Sequence, residues 1–345
     1  MKKTNLIIGK PDSGKTRGYM FNQVKEMISN GENLFIWDNK EEYYNYFYND
    51  LKDSHYTIKI VRLDEPENSN GFNILRIPYL LYKSGNVDKA LLLIQELGVS
   101  MVNTSDNVTD FWDNNARDLL CSLILLLFKE GKKEEINFYS IVNLLRKIDE
   151  DQNKLIEDLR KYLSKLDVID PIYSFGSASI FAPIETRSGI FATLKSALSS
   201  YIFRPAMLDL VSTDEIDLCK RDKTAIFFSG AGKNSSLGLV LLKQVLTKKE
   251  KDTSLVLIFD NLNKIPKISF IDDFIEYASN NNTISYFITN NYKELISMYG
   301  EFIFEGVNNV VQIEPMEIEY QDKTGVMPRI IVKERTMCNF EFLES

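Results

Sequence analysis

The octapeptide Gly9-Lys10-Pro11-Asp12-Ser13-Gly14-Lys15-Thr16 has the spacing G-x-x-x-x-G-K-[ST], a loop that cradles the phosphates of a nucleoside triphosphate. Gly9 and Gly14 let the backbone curl so that successive N–H groups converge on one anion. A helix starting near Lys15 adds the positive end of its dipole. Lys15 is expected to reach the β- and γ-phosphates, and the Thr16 hydroxyl to ligate Mg2+. The octapeptide and Arg17 form the expected binding segment for ATP. Such a loop needs a second acidic group at the tip of another buried strand. The run Ser254-Leu255-Val256-Leu257-Ile258-Phe259 ends in Asp260, which is expected to hold the same metal ion through water.

The next residue constrains the reaction. Many translocating ATPases with this loop carry a glutamate there to activate the attacking water; this chain has Asn261. An amide orients water but takes no proton at neutral pH. Three readings stay open: another carboxylate acts as base, hydrolysis is slow, or nucleotide is bound without turnover.

Short apolar strands are expected over 4–8, 34–37 and 57–63, with helices over 17–29 and 41–51 between them. Strand, helix, strand, helix, strand implies a parallel sheet with right-handed crossovers. After Pro78 helical spacing takes over, at 88–97, 111–129, 138–148 and 155–166. Strands return at 224–229, 254–259 and 283–289, with helices over 237–247 and 270–278. Residues 310–314 and 329–332 read as an antiparallel edge or hairpin. The expected fold is an α/β P-loop core, residues 1–78 and 171–345, with an inserted all-α subdomain, residues 79–170. Residues 174–179 read as the return linker from that insertion.

Composition narrows the classes. The 345 residues are 44% hydrophobic and 26% charged, a globular balance. The apolar run 123–128 is far short of the ~20 residues that span a bilayer. The strand at 4–8 leaves no room for a signal peptide, so a cytoplasmic location is expected. A single histidine, His55, excludes His-rich metal sites and argues against a Ser-His-Asp triad. Cys121, Cys219 and Cys338 are too few and too spread for a disulfide framework. Lys and Arg total 41 against 49 Asp and Glu, a net charge of −8. That is the wrong sign for a surface that coats nucleic acid, though it leaves room for a local basic channel.

Several segments together resemble the type IV coupling proteins, the TraG/TraD-like ATPases of conjugation and type IV secretion. Beside the phosphate loop, Trp37-Asp38-Asn39-Lys40-Glu41-Glu42 is similar to that family's Asp-Pro-Lys-Gly-Glu-Leu segment, keeping Asp38 and Lys40 but not the Pro or Gly. Phe72-Asn73-Ile74-Leu75 resembles its Asn-Pro-Leu segment, and Phe111-Trp112 through Leu119-Leu120 its Phe-Trp…Ala…Leu-Leu helix. Asp260-Asn261-Leu262-Asn263-Lys264-Ile265-Pro266 resembles its Asp-Glu-Phe…Lys-Ile-Pro segment. Residues 287–295 and Met298-Tyr299-Gly300 are similar to its Gln-Ser…Gln-Leu…Tyr-Gly motif. The matches run from about residue 4 to 300 in family order. The resemblance implies a RecA-like motor domain, bound ATP and Mg2+, a homo-oligomeric ring (hexameric in the family) and DNA or relaxase–DNA substrates. It makes Lys15, Asp260, Asn261 and Asn290 the catalytic candidates, with Asn290 or Asn291 in place of the family's sensor glutamine. The family's usual transmembrane helices have no counterpart in the sequence, so membrane contact would run through a separate partner.

Other features admit two readings each. Phe111-Trp112 starts a packed helix or meets a partner. Tyr43, Tyr44, Tyr46 and Tyr48 pack on the sheet or stack bases. Lys243, Lys248, Lys249 and Lys251, like Lys129, Lys132 and Lys133, form solvated helix ends or line a channel. Arg187 and Arg204 are candidates for completing a neighbouring copy's site. At the level of function, a coupling ATPase stands against a nucleotide-gated assembly or scaffold module with little hydrolysis. A small-molecule kinase fits less well, because the insertion is long and has few arginines.

Overall fold

The computed structural model describes residues 4–102, 111–150, 152–216, 223–230, 234–248, 253–268, 270–271, 275–276, 281–300, 307–315 and 330–335. The chain runs β1 (Thr4–Gly9), α1 (Phe21–Ser29), β2 (Asn33–Trp37), α2 (Glu42–Asp53), β3 (Thr57–Arg62), α3 (Arg76–Lys83), α4 (Val87–Met101), α5 (Phe111–Glu130), α6 (Phe138–Glu150), α7 (Gln152–Leu163), α8 (Pro171–Ile180), α9 (Ile184–Ala197), α10 (Ser199–Ile202), α11 (Pro205–Leu210), β4 (Thr224–Ser229), α12 (Ser236–Lys248), β5 (Leu255–Phe259), β6 (Thr283–Thr289), α13 (Tyr292–Tyr299), β7 (Asn309–Pro315) and β8 (Ile330–Arg335). Two compact units result. One is Met1–Val61, Cys219–Ala231 and Lys249–Ser345; the other is Arg62–Leu218 and Gly232–Lys248.

The first unit is a sheet in the order β3-β4-β2-β5-β6-β1-β7-β8. From β4 to β7 the neighbours pair in parallel, and β8 returns antiparallel on β7. The tail strands therefore join the main sheet through β1 rather than standing apart as a hairpin. Strands such as Leu-Val-Leu-Ile-Phe are apolar on both faces, as a covered parallel sheet requires. On one face Ile7, Ile36, Val256, Ile258 and Ile288 pack with Met20, Val24, Tyr43 and Phe47 of the helical segments. On the other, Phe228, Trp37, Phe259 and Phe287 form a buried row in register across β4, β2, β5 and β6. Trp37 and Phe259 are the last residues of β2 and β5, and Phe228 and Phe287 lie just before the ends of β4 and β6.

The second unit is helical. Its centre is α5, buried through Ala116, Leu119, Leu120, Leu123, Ile124 and Phe128. Residues 174–179 are not a linker but the middle of α8. Asp170 caps that helix, its side chain accepting the Ile172 N–H, and Pro171 takes the first helical position. The small residues let α8 approach α5: a Cβ on Gly176 would sit 2.4 Å from Ser122 Oγ. Ser122 Oγ in turn donates to Ile172 O at 2.8 Å. Phe111 and Trp112, at the start of α5, are 54% and 42% exposed rather than core. Most of the helix expected over 270–278 lies outside the described residues. Among the described residues, no helix is long and apolar enough to cross a membrane.

Candidate functional site

The strands β1, β6, β5 and β2 end side by side, with Ile8 opposite Thr289 and Phe259 opposite both Phe287 and Trp37. Ligands of open parallel sheets bind in the crevice beyond such carboxyl ends. The residues that follow these strands therefore meet: the loop after Gly9, Asn290 after β6, Asp260 after β5 and Asp38 after β2.

The two loop glycines are needed for different reasons. Gly14 has φ +91°, which a side chain rarely allows. At Gly9 the limit is space, since a Cβ would lie 2.6 Å from Ser13 Oγ and 2.7 Å from Ile313 O. Asp12 is left-handed too, at φ 59°. The N–H groups of Gly18 and Tyr19 both return to Gly14 O, at 2.8 and 3.1 Å. This opens Lys15–Met20 into a wide π-type turn ahead of α1. Lys10, Pro11, Asp12 and Arg17 are exposed, whereas Ser13 and Lys15 are buried. The Lys15 ammonium donates to Gly9 O and Lys10 O. Burial lowers its pKa, and the Asp260 and Asp12 carboxylates oppose that shift. Ser13 Oγ is buried without a hydrogen-bond partner among the described residues.

Thr16 Oγ1 donates to Asp260 Oδ2 at 3.4 Å, bringing together the two residues expected to share a metal ion. Burial pushes Asp260 up to about 6, and the Glu42 carboxylate adds to the shift. The Thr16 hydroxyl, Lys15 and the Asn261 N–H act the other way. Asn261 is left-handed at φ 57°, a conformation asparagine tolerates, and it opens the short turn Leu262–Lys264. Asn291 is committed elsewhere: its Oδ1 accepts the N–H groups of Lys293 and Glu294 at 3.1 and 3.4 Å and caps α13. Asn290, half-buried directly after β6, has no such capping role.

The strand order adds residues whose place in the site was not readable from spacing. Asp38 is buried; its Oδ1 accepts the Glu42 N–H at 3.0 Å and its Oδ2 the Tyr44 N–H at 2.9 Å. Burial pushes its carboxyl up to about 7; the Asp260 charge adds to this and the backbone N–H groups oppose it. Glu42 Oε2 meets Arg17 Nε at 3.3 Å. Tyr43 is fully buried, and its hydroxyl has no aligned hydrogen bond among the described residues. Burial, with the charges of Asp260 and Asp38, pushes that hydroxyl well above its ordinary value. Their signal in the sequence was the Asp38-to-Tyr43 segment; only the pairing of β2 with β5 puts it beside Asp260.

The remaining candidates sort by exposure. Tyr43 belongs to the core, while Tyr46 and Tyr48 are 51% and 40% exposed. Lys243 pairs with Glu96, and Lys129 with Asp170 at 3.1 Å. Lys249 and Lys251 lie outside the described residues. Arg187 is buried and donates to Ala182 O at 3.0 Å, whereas Arg204 is exposed.

A parallel sheet in this order, with a glycine loop and lysine after β1 and an aspartate after β5, defines a RecA-like P-loop NTPase. The chain belongs to the type IV secretory system conjugative DNA transfer family, whose model matches residues 3–320. It is similar in fold to the bacterial conjugative coupling protein TrwBΔN70 in its unbound monoclinic form. That match has 12% identity, covers 96% of this chain and 77% of the other, and has a TM-score of 0.55. It is likewise similar to plasmid coupling protein TrwB in complex with ADP and Mg2+, with 14% identity, coverage of 89% and 70%, and a TM-score of 0.55. VirB4 of Thermoanaerobacter pseudethanolicus matches at 12% identity, 90% and 76% coverage, and a TM-score of 0.55. Comparison with curated protein sequences finds no match.

Proposed function

We propose that this chain is a coupling ATPase of conjugative transfer, which binds ATP with Mg2+ and spends its hydrolysis on moving DNA or a relaxase–DNA complex. The observation that carries the reading is the loop 9–16 closed on the buried Lys15, with Thr16 joined to Asp260. The donor set fits the ligands. Buried Ser13 Oγ is a polar atom in want of a partner among the described residues, and a hydroxyl beside a carboxylate suits a hard cation. Mg2+, when bound, supplies charge neutralisation on the phosphates. Within the chain, the loop N–H groups and Lys15 would hold the β- and γ-phosphates, Thr16 and Asp260 would hold the ion, and Asn290 would orient the phosphate side of the reaction. The TrwB complex with ADP and Mg2+ supports this assignment by likeness of fold. Assembly as a homo-oligomeric ring is part of the same proposal.

Asn261 favours a second reading, a nucleotide-gated assembly module that binds ATP without turning it over. ATP turnover by the purified protein, with and without single- and double-stranded DNA, separates the two. Turnover that DNA raises and Lys15→Ala abolishes is the expected result. ATP bound but hydrolysed only after Asn261→Glu would establish the gated module instead.

A further inference from the structure

We propose that the turn between α10 and α11 is a contact for single-stranded DNA, in which Phe203 stacks on a base while Arg146 and Arg204 meet the flanking phosphates. This rests on the DNA-moving reading above and deepens it, naming where the chain holds its substrate.

Phe203 is 78% exposed, the most exposed phenylalanine among the described residues. A lone apolar side chain at a surface is ordinary, but this one is held out by a turn fixed on both sides. Before it, the buried Tyr201 packs its ring 5.6 Å from that of Phe138. The Phe203 N–H donates to Ser199 O at 3.0 Å. After it, Arg204 O accepts the N–H groups of Met207 and Leu208, both buried, at 3.0 and 3.1 Å. Pro205 takes the first position of α11. The backbone that carries the ring is thus set before a ligand arrives, which lowers the ordering cost of binding.

The charges beside the ring are of one sign. Arg146 reaches from α6 to the same turn, its Nη2 donating to Ile202 O at 3.2 Å. Arg204 follows Phe203 directly. Both arginines are exposed, and among the described residues neither is paired with a carboxylate. Asp209, the acidic residue of α11, accepts the Tyr139 hydroxyl at 2.7 Å.

An exposed ring with two unneutralised guanidiniums suits a ligand that alternates flat π-faces with single negative charges. Single-stranded DNA has that repeat: its bases stack on aromatic rings with little regard to sequence, and guanidiniums pair with phosphate oxygens. A duplex keeps its base faces stacked inside, and an acidic peptide offers the charge without the stack. Two cations on one copy make a weak site, which copies set side by side would repeat.

The test follows the anisotropy of a fluorescent oligothymidylate with an ATP analogue and Mg2+ present. Wild type is compared with Phe203→Ala, Phe203→Leu, Phe203→Trp and the double variant Arg146→Gln/Arg204→Gln, with unfolding midpoints alongside. Phe203→Ala and Phe203→Leu should each weaken binding by about tenfold. Leucine keeps the apolar bulk but has no π-face, whereas Phe203→Trp should hold the affinity. On an abasic strand of the same length the Phe203 variants should bind as wild type does. The arginine variant should flatten the slope of log affinity against log salt by about 1.4, at about 0.7 per single-strand contact. DNA-free ATP turnover should stay unchanged in every variant. Its loss in the arginine variant would place Arg204 at a neighbouring copy's nucleotide and overturn the proposal. Undiminished binding by Phe203→Leu overturns it and leaves the DNA-moving reading standing. Polyglutamate that competes as well as oligothymidylate at equal charge would mark a site for acidic protein and overturn it likewise. Wild type that binds no single-stranded DNA in any nucleotide state overturns the proposal and the DNA-moving reading together.

Discussion

Asp38 and Asp260 show what a strand tip does to a carboxylate. Both follow buried strands, and burial raises both. For Asp38 the pKa moves from 3.8 to about 7. Between those values the folded protein holds a proton that the unfolded chain has released. The folded state therefore loses stability relative to the unfolded one as pH rises from about 4 to about 7. Asp38→Asn keeps the shape and one acceptor but turns an amide N–H toward a backbone N–H. At pH 5 it should be the less stable protein, by about 1 kcal/mol for a damaged cap. That deficit should shrink or reverse by pH 8, where wild type has paid to bury the charge. Urea unfolding in magnesium-free buffer measures the difference; a deficit independent of pH would mean Asp38 is solvated. The phosphate loop was legible because its chemistry is written in consecutive residues. Glu42 and Tyr43 were not, because their meaning depends on β2 lying against β5.

At the scale of elements, apolar runs announced the strands well. β4 and β6 have the bounds 224–229 and 283–289 that composition suggests, since β-branched and aromatic residues fill them. Small residues misled. Ser174 to Ser179 looks like a loop, yet small side chains also let helices pack closely, and the Asp170-Pro171 cap was the signal for the latter. The same principle governs α9. A Cβ on Gly189 would lie 2.5 Å from the Trp112 ring. The ring must then move or the helices part, at a cost of about 1–3 kcal/mol. Trp37 and Trp112 are the only tryptophans. In a Trp37→Phe background, Gly189→Ala should therefore shift tryptophan emission to the red and lower the unfolding midpoint. Unchanged emission would show that the half-exposed Trp112 does not rest on α9. This contact also explains how an aromatic expected in the core anchors its helix from the surface.

For the whole molecule, the order of strands is the part a sequence conceals, because each neighbour is chosen by crossovers that span dozens of residues. Inserting β6 between β1 and β5 is what brings Asn290 to the loop, and no local pattern announces it. Net charge, by contrast, is legible at once and constrains how the chain meets DNA. At −8 a single copy and a polyanion repel on average. The basic residues described so far do little to offset this, since Lys129 and Lys243 are already paired with carboxylates. Under the proposed reading, binding is expected to draw on cations that converge when several copies assemble, each contact adding about −0.9 to the slope of log affinity against log salt. DNA affinity is therefore expected to follow assembly rather than to be a property of one chain. In anisotropy titrations with sedimentation run in parallel, binding should appear only at protein concentrations where ATP with Mg2+ drives association. Lys15→Ala should lose both together. Tight DNA binding by a sedimenting monomer would break that link and place a strong cationic surface on the single chain.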